Sequence, residues 1–163
     1  MRLAVGCDHA GFPLKQEVID LAGKLGHTVE DFGTFSTEPA DYPVYARKVA
    51  EAVVSGRADR GIVLCGSGVG ASVAASKVPG SRAAMCHDTF SARQGVEDDD
   101  MNVLCLGARV IGPLLACECV RAFLGAKFSG AERHVRRLGE IHAIEEDARN
   151  GAFDQTQTQG RRP

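Results

Sequence analysis

Apolar residues along this chain recur with two alternating periods. Short runs of β-branched and small apolar residues, RLAVGCD at 2–8, HTVEDFG at 27–33, RGIVLCG at 60–66, RAAMC at 82–86 and NVLCLG at 102–107, read as strands. Between them lie segments with helical spacing. The first covers 12–26 and stops at Gly26; the second covers 41–56, opened by Asp41 and closed by Gly56. A helix of small residues follows at 69–78, another at about 89–96, and a fifth at 113–125 with Pro113 at its start. A last, charged helix is expected over roughly 131–150.

Strand and helix alternating in this way predict βαβ units and a parallel sheet covered on both faces. The expected class is α/β: a Rossmann-like, five-stranded parallel sheet in three αβα layers, with the flavodoxin-like order 2-1-3-4-5. No internal repeat interrupts the pattern. Residues 1–148 are expected to form the domain, and the polar segment 149–163, ending in QTQTQGRRP, a disordered tail.

Composition narrows the class. The 163 residues are 44% hydrophobic and 25% charged, as in soluble globular domains. A net charge of −2 speaks against a nucleic-acid partner, which would call for a basic excess. No apolar run approaches the ~20 residues of a membrane helix, and the N-terminus is too short in apolar residues for a signal peptide. Six cysteines (Cys7, Cys65, Cys86, Cys105, Cys117 and Cys119) sit mostly in apolar strand-like runs. None forms a CxxC pair, so a reduced, cytoplasmic protein without a zinc site is expected.

The expected topology predicts a site before any motif is read. Ligands in such sheets bind at the carboxyl ends of the strands, where strands one and three send their connections in opposite directions. The residues there are CDHAG at 7–11 and CGSGVGAS at 65–72. Gly66, Gly68 and Gly70 let the backbone turn tightly and present bare N–H groups to an anion. The spacing is GxGxG without a P-loop lysine, so a nucleotide fingerprint is not met, and a tight turn alone would also explain the glycines. Cys65 at the head of the loop adds chemistry: a thiol beside a helix N-terminus has its thiolate favoured and can serve as base or nucleophile. Asp8 and His9 face the same crevice, although an Asp there also caps helices, and Tyr42 is a further candidate. Arg133, His134, Arg136 and Arg137 place cations within about a helical turn, with Arg109 as a possible addition; guanidinium forks suit phosphate, though a solvated basic face reads the same way.

Taken together, GCDHAG at 6–11, DYP at 41–43, GIVLCGSGVGASVAASKVPGSRAA at 61–84, NVLCLGARVIG at 102–112 and ERHVRRL at 132–138 resemble the type B ribose-5-phosphate isomerases and their galactose-6-phosphate isomerase relatives. The resemblance runs in register from residue 1 to about 148. It implies an aldose–ketose isomerase that needs no metal or other cofactor, acts on a sugar phosphate, and works as a homodimer or tetramer with active sites shared between subunits. Carried over by position, Cys65 would move the proton between C1 and C2. Some members use a Glu just after the loop instead; Ala71 stands there in this chain, which therefore resembles the cysteine type. The N–H groups of Gly66, Ser67, Gly68, Val69 and Gly70 would form the anion hole, with Ser67 beside the base. Asp8 would bind sugar hydroxyls and Tyr42 would line the pocket. His9, Arg133 and Arg137, with Arg109 from the neighbouring subunit, match the family's phosphate-binding positions.

One departure stands out. The family motif before NVL carries a His that opens the cyclic sugar, and here Asp98 occupies that place, with Asp99 at the next binding position. The run EDDD (97–100) joins a helix to a strand, so it lies at the amino edge of the sheet and can serve only another subunit's pocket. Three expectations follow. Asp98 opens the ring as a carboxylate, its pKa raised by Asp99 and Asp100; or the substrate needs no ring opening, as for a tetrose 4-phosphate; or the chain is a catalytically impaired phosphosugar binder. His87, at the end of the fourth strand, is not a substitute by alignment.

Overall fold

The computed structural model describes residues 1–153. Of the tail expected over 149–163, residues 154–163 lie outside the described residues. In chain order the elements are β1 (Arg2–Cys7), α1 (Phe12–Lys24), β2 (Thr28–Asp31), α2 (Tyr42–Val54), β3 (Arg60–Cys65) and α3 (Val69–Ala75). They continue with β4 (Ala83–Met85), α4 (Thr89–Asp99), β5 (Val103–Gly107), α5 (Pro113–Gly125) and α6 (Glu132–Arg149).

All strand pairs are parallel, and the class is the expected three-layer α/β sheet. Its order is β2-β1-β3-β5-β4, so the last two strands are exchanged relative to 2-1-3-4-5. The cause is legible in burial. Every residue of β5 (VLCLG) is buried, which suits a strand paired on both sides. β4 is only three residues, AAM, none of them fully buried, and a short strand of this kind belongs at an edge. β1 and β3 remain neighbours, so the crevice between their carboxyl ends survives the exchange.

Alternation within the strands divides the core in two. Leu3, Val5, Ile62, Leu64, Leu104 and Leu106 point to the face covered by α1, α4 and α5, with Phe123 and Val18 fully buried against them. Ala4, Val63, Val103 and Cys105 point to the other, where Val49 and Val53 of α2 and Ala71 and Ala75 of α3 close the layer. Each fully buried branched or aromatic side chain contributes about 1.5–3 kcal/mol.

The chain divides into two compact units, Met1–Phe128 and one beginning at Ser129. In the second, α6 is largely exposed, and His134 is its one buried residue among those described.

Candidate active site

β1, β3 and β5 finish level with one another. Cys7 pairs with Leu64, and Cys65 with Gly107, so the turns after these strands rise from one edge. Cys65 is 4% exposed, at the base of the glycine loop. The backbone N–H of Gly68 donates to its Sγ at 3.1 Å. Gly68 can aim that N–H because its φ is +82°, in the left-handed region that glycine enters freely. Ser67 is exposed, and its Oγ accepts from the N–H of Val69 at 3.3 Å. The floor of the loop is Gly107: a Cβ there would stand 2.6 Å from the carbonyl carbon and oxygen of Ser67. The N–H groups of Ala108 and Arg109 donate to the carbonyls of Cys65 and Gly66, at 2.9 and 3.0 Å, which ties the loop to the end of β5.

Around this loop the structure gathers most of the expected residues. Asp8 is buried, and its Oδ1 accepts from the N–H of Gly11 at 2.8 Å. The capping role thus occupies one oxygen, and Oδ2 has no partner among the described residues. His9 is half-buried, its Nδ1 within hydrogen-bond distance of both the N–H of Ala40, at 3.1 Å, and the Ala40 carbonyl oxygen, at 3.2 Å. His9 shares a cavity of about 350 Å³ with Arg109, Ala10 and Pro13. Arg109, expected to arrive from a neighbouring subunit, lies instead beside its own chain's Gly66, whose Cβ would stand 3.6 Å from the Arg109 Cδ. The reason is topological, since Arg109 follows β5, the strand paired directly with β3. Tyr42 covers the other end of the loop, and a Cβ on Gly70 would meet its ring at 2.7 Å.

Asp98 and Asp99 lie elsewhere. They form the last turn of α4, whose chain then enters β5 at the amino edge of the sheet, opposite the glycine loop. Asp98 is half-buried and accepts from Gln94 Nε2 at 2.7 Å; Asp99 is exposed. Asp100 terminates the helix in the left-handed region, with φ +50°. Arg82 holds it there, donating from Nη2 to its carboxylate at 2.6 Å and from Nε to its carbonyl at 2.7 Å.

Arg133 and Arg137 belong to the second unit, where both are exposed on α6. Arg133 Nε donates to His134 Nε2 at 2.9 Å, so His134 Nδ1 carries the proton and donates to Ser129 Oγ at 2.7 Å. His134 thereby spends both ring nitrogens on its own neighbours. One residue that sequence reasoning set aside does reach the site: His87 Nε2 accepts the N–H of Gly107 at 2.9 Å. A histidine just beyond the carboxyl end of a strand of an α/β sheet is at the ligand-binding edge, and that placement was the available signal.

All six cysteines are free. Burial pushes the thiols of Cys7 and Cys86 up to about 11 and that of Cys105 higher still, so these remain thiols at neutral pH. Among the described residues no cluster of three or more His, Cys, Asp or Glu side chains could hold a metal ion. No helix among them is long and apolar enough to cross a membrane.

Residues 3–141 match the family described as Ribose/Galactose Isomerase. The chain belongs to that family. Ribose-5-phosphate isomerase B of Escherichia coli is 47% identical over 145 residues, 89% of this chain and 97% of that protein. D-erythrulose-4-phosphate isomerase of Pectobacterium atrosepticum is 44% identical over 131 residues, 80% of this chain and 86% of its own. Among solved structures, ribose-5-phosphate isomerase B of Clostridium thermocellum superposes with a TM-score of 0.89 at 49% identity, covering 91% of this chain and 99% of that one. The protein is a sugar-phosphate aldose–ketose isomerase of the ribose/galactose isomerase family.

Proposed function

We propose that the protein interconverts ribose 5-phosphate and ribulose 5-phosphate through a cis-enediolate, with Cys65 as the base. The observation that carries this reading is the Gly68 N–H aimed at Cys65 Sγ within a loop of backbone donors at the switch point. The thiolate takes the C2 proton of the open-chain aldose. The C–H electron pair becomes the C1–C2 double bond, and the carbonyl oxygen takes the negative charge. The O2 proton then passes to O1, the C2–O2 carbonyl forms, and the electron pair of the C1–C2 double bond takes the proton back from Cys65 at C1, which yields the ketose. Those N–H groups of the Gly66–Gly70 loop not already given to Cys65 Sγ and Ser67 Oγ stabilise the oxyanion where it forms, and one such donor is worth about 3 kcal/mol. Asp8 Oδ2 accepts from sugar hydroxyls, Tyr42 closes the pocket, and His9 with Arg109 hold the phosphate in the cavity they share. Arg133 and Arg137 supply further phosphate contacts.

Asp98 lies at the far edge of its own sheet, so its part in ring opening requires a second copy of the chain. A homodimer or tetramer with shared sites, working in the cytoplasm, is the assembly this implies. A second reading is favoured by the carboxylate at Asp98 and by the resemblance to D-erythrulose-4-phosphate isomerase. A tetrose 4-phosphate has its fourth oxygen blocked, cannot close a furanose and needs no ring-opening residue. Turnover of ribose 5-phosphate, erythrose 4-phosphate, allose 6-phosphate and galactose 6-phosphate separates the readings. The first expects the highest kcat/KM on ribose 5-phosphate; a strong preference for the tetrose replaces it with the second; binding without turnover of any of them rejects both.

A further inference from the structure

The sheet leaves one backbone donor beneath the reacting loop without a strand partner. Along β5 and the residue that follows it, the N–H groups of Val103 and Ala108 show the alternation: Val103 donates toward Arg82, before β4, and Ala108 toward Cys65 of β3. By the same alternation Gly107 directs its N–H toward the β4 side. β4 ends at Met85, paired with Cys105, and does not extend far enough to meet it. His87, two residues beyond that strand end, supplies the acceptor at 2.9 Å. The bond requires a neutral imidazole with its proton on Nδ1.

Gly107 transmits this contact. It pairs in register with Cys65, and its α-carbon lies so close to the Ser67 backbone that a Cβ would come within 2.6 Å of the Ser67 carbonyl. A shift of Gly107 therefore moves Ser67 and, through the adjoining peptide, the N–H of Gly68 that faces the Cys65 sulfur.

We infer that His87 is a positioning residue for the isomerase: by holding the Gly107 N–H it fixes the height of the Ser67–Gly68 segment against the reacting carbons. This rests on the reading of Cys65 and its loop as the reaction centre. A displacement of an ångström in such a loop is worth up to about a hundredfold in rate, with little change in how the distant phosphate is held.

The test compares His87→Gln with His87→Met in the full chain, since the two side chains are of similar length and only Gln brings a strong acceptor. On the best substrate of the panel above, His87→Met is expected to lower kcat about ten- to a hundredfold, with KM and inhibition by inorganic phosphate changed less than about threefold. His87→Gln should recover most of the loss, and both variants should melt within a few degrees of the parent. If His87→Met keeps kcat within twofold, or if Gln and Met are equally impaired while both remain folded, the positioning role is wrong. Cys65→Ala assayed alongside keeps the two claims apart. An active Cys65→Ala rejects the reaction centre itself, whereas an inactive one beside an active His87→Met rejects only His87.

Discussion

The N–H of Gly68 meets the sulfur of Cys65 at 3.1 Å, and the bond depends on a backbone conformation that L residues rarely adopt. A Cβ at Gly68 would stand 2.9 Å from Met85 Cγ and 3.2 Å from the Leu106 carbonyl carbon. Gly68→Ala therefore combines left-handed strain of about 1–2 kcal/mol with a displaced N–H. Loss of one donor of this kind typically lowers kcat about 10²- to 10³-fold. Steady-state kinetics and urea denaturation should show both effects, the kinetic one far larger.

At the other end of the loop, Gly70 leaves no room for a side chain beside the Tyr42 ring. Adding a methyl group there would bring it to 2.7 Å from Cζ, so Gly70→Ala must push the ring away. The expected result is a rise in KM and a fall in kcat/KM of about tenfold, a scale set by loss of about 1.4 kcal/mol of binding. Tyr42→Phe keeps the ring and should retain the parent's melting temperature. Unchanged kinetics in Gly70→Ala would remove Tyr42 from the sugar pocket.

Asp98 gives the substrate question a direct handle. If its carboxylate opens the ring in a neighbouring subunit, Asp98→Ala should lower kcat/KM for ribose 5-phosphate about 10²-fold, as for loss of a general acid–base. Erythrose 4-phosphate, which cannot close a furanose, should be converted as before. Asp98→His should raise the pentose activity. Equal losses on both substrates would indicate that Asp98 supports the fold or the interface instead.

The carboxylate two residues further on, Asp100, has a structural task. Arg82 bonds both the side chain and the carbonyl of Asp100, which closes α4 with positive φ. Arg82→Ala leaves that turn without its clamp and should destabilise the protein by about 1–2 kcal/mol in urea unfolding. Asp100→Gly loses the ion pair but relieves the backbone, and should fall closer to the parent.

Much of this architecture was readable from local pattern. Buried runs such as VLCG and VLCLG announce strands, and the glycines after Cys65 announce a turn with free donors, because burial and backbone sterics act residue by residue. Strand order was not local. Nothing within RAAMC says that it pairs only with β5, and the exchange of β4 and β5 follows from which strand buries both faces. That exchange also explains Arg109, which the β3–β5 pairing sets beside Gly66 of its own chain. His87 was passed over for the same reason: its contact is with Gly107, 20 residues away, whose N–H at the end of a neighbouring strand is met by His87 Nε2. The run at 97–100 looked uniform in sequence, yet Arg82, Gln94 and solvent divide its carboxylates into separate roles.

The central claim, proton transfer through Cys65, is tested most directly by running the isomerisation in heavy water and reading deuterium in the sugar phosphate by NMR. The account predicts deuterium at C1 of the ketose formed by the parent protein, and at C2 of the aldose on reversal. Cys65→Ala, still folded and still inhibited by inorganic phosphate, should show neither incorporation nor turnover. A Cys65→Ala protein that continues to exchange the C2 proton at the parent's rate would contradict it.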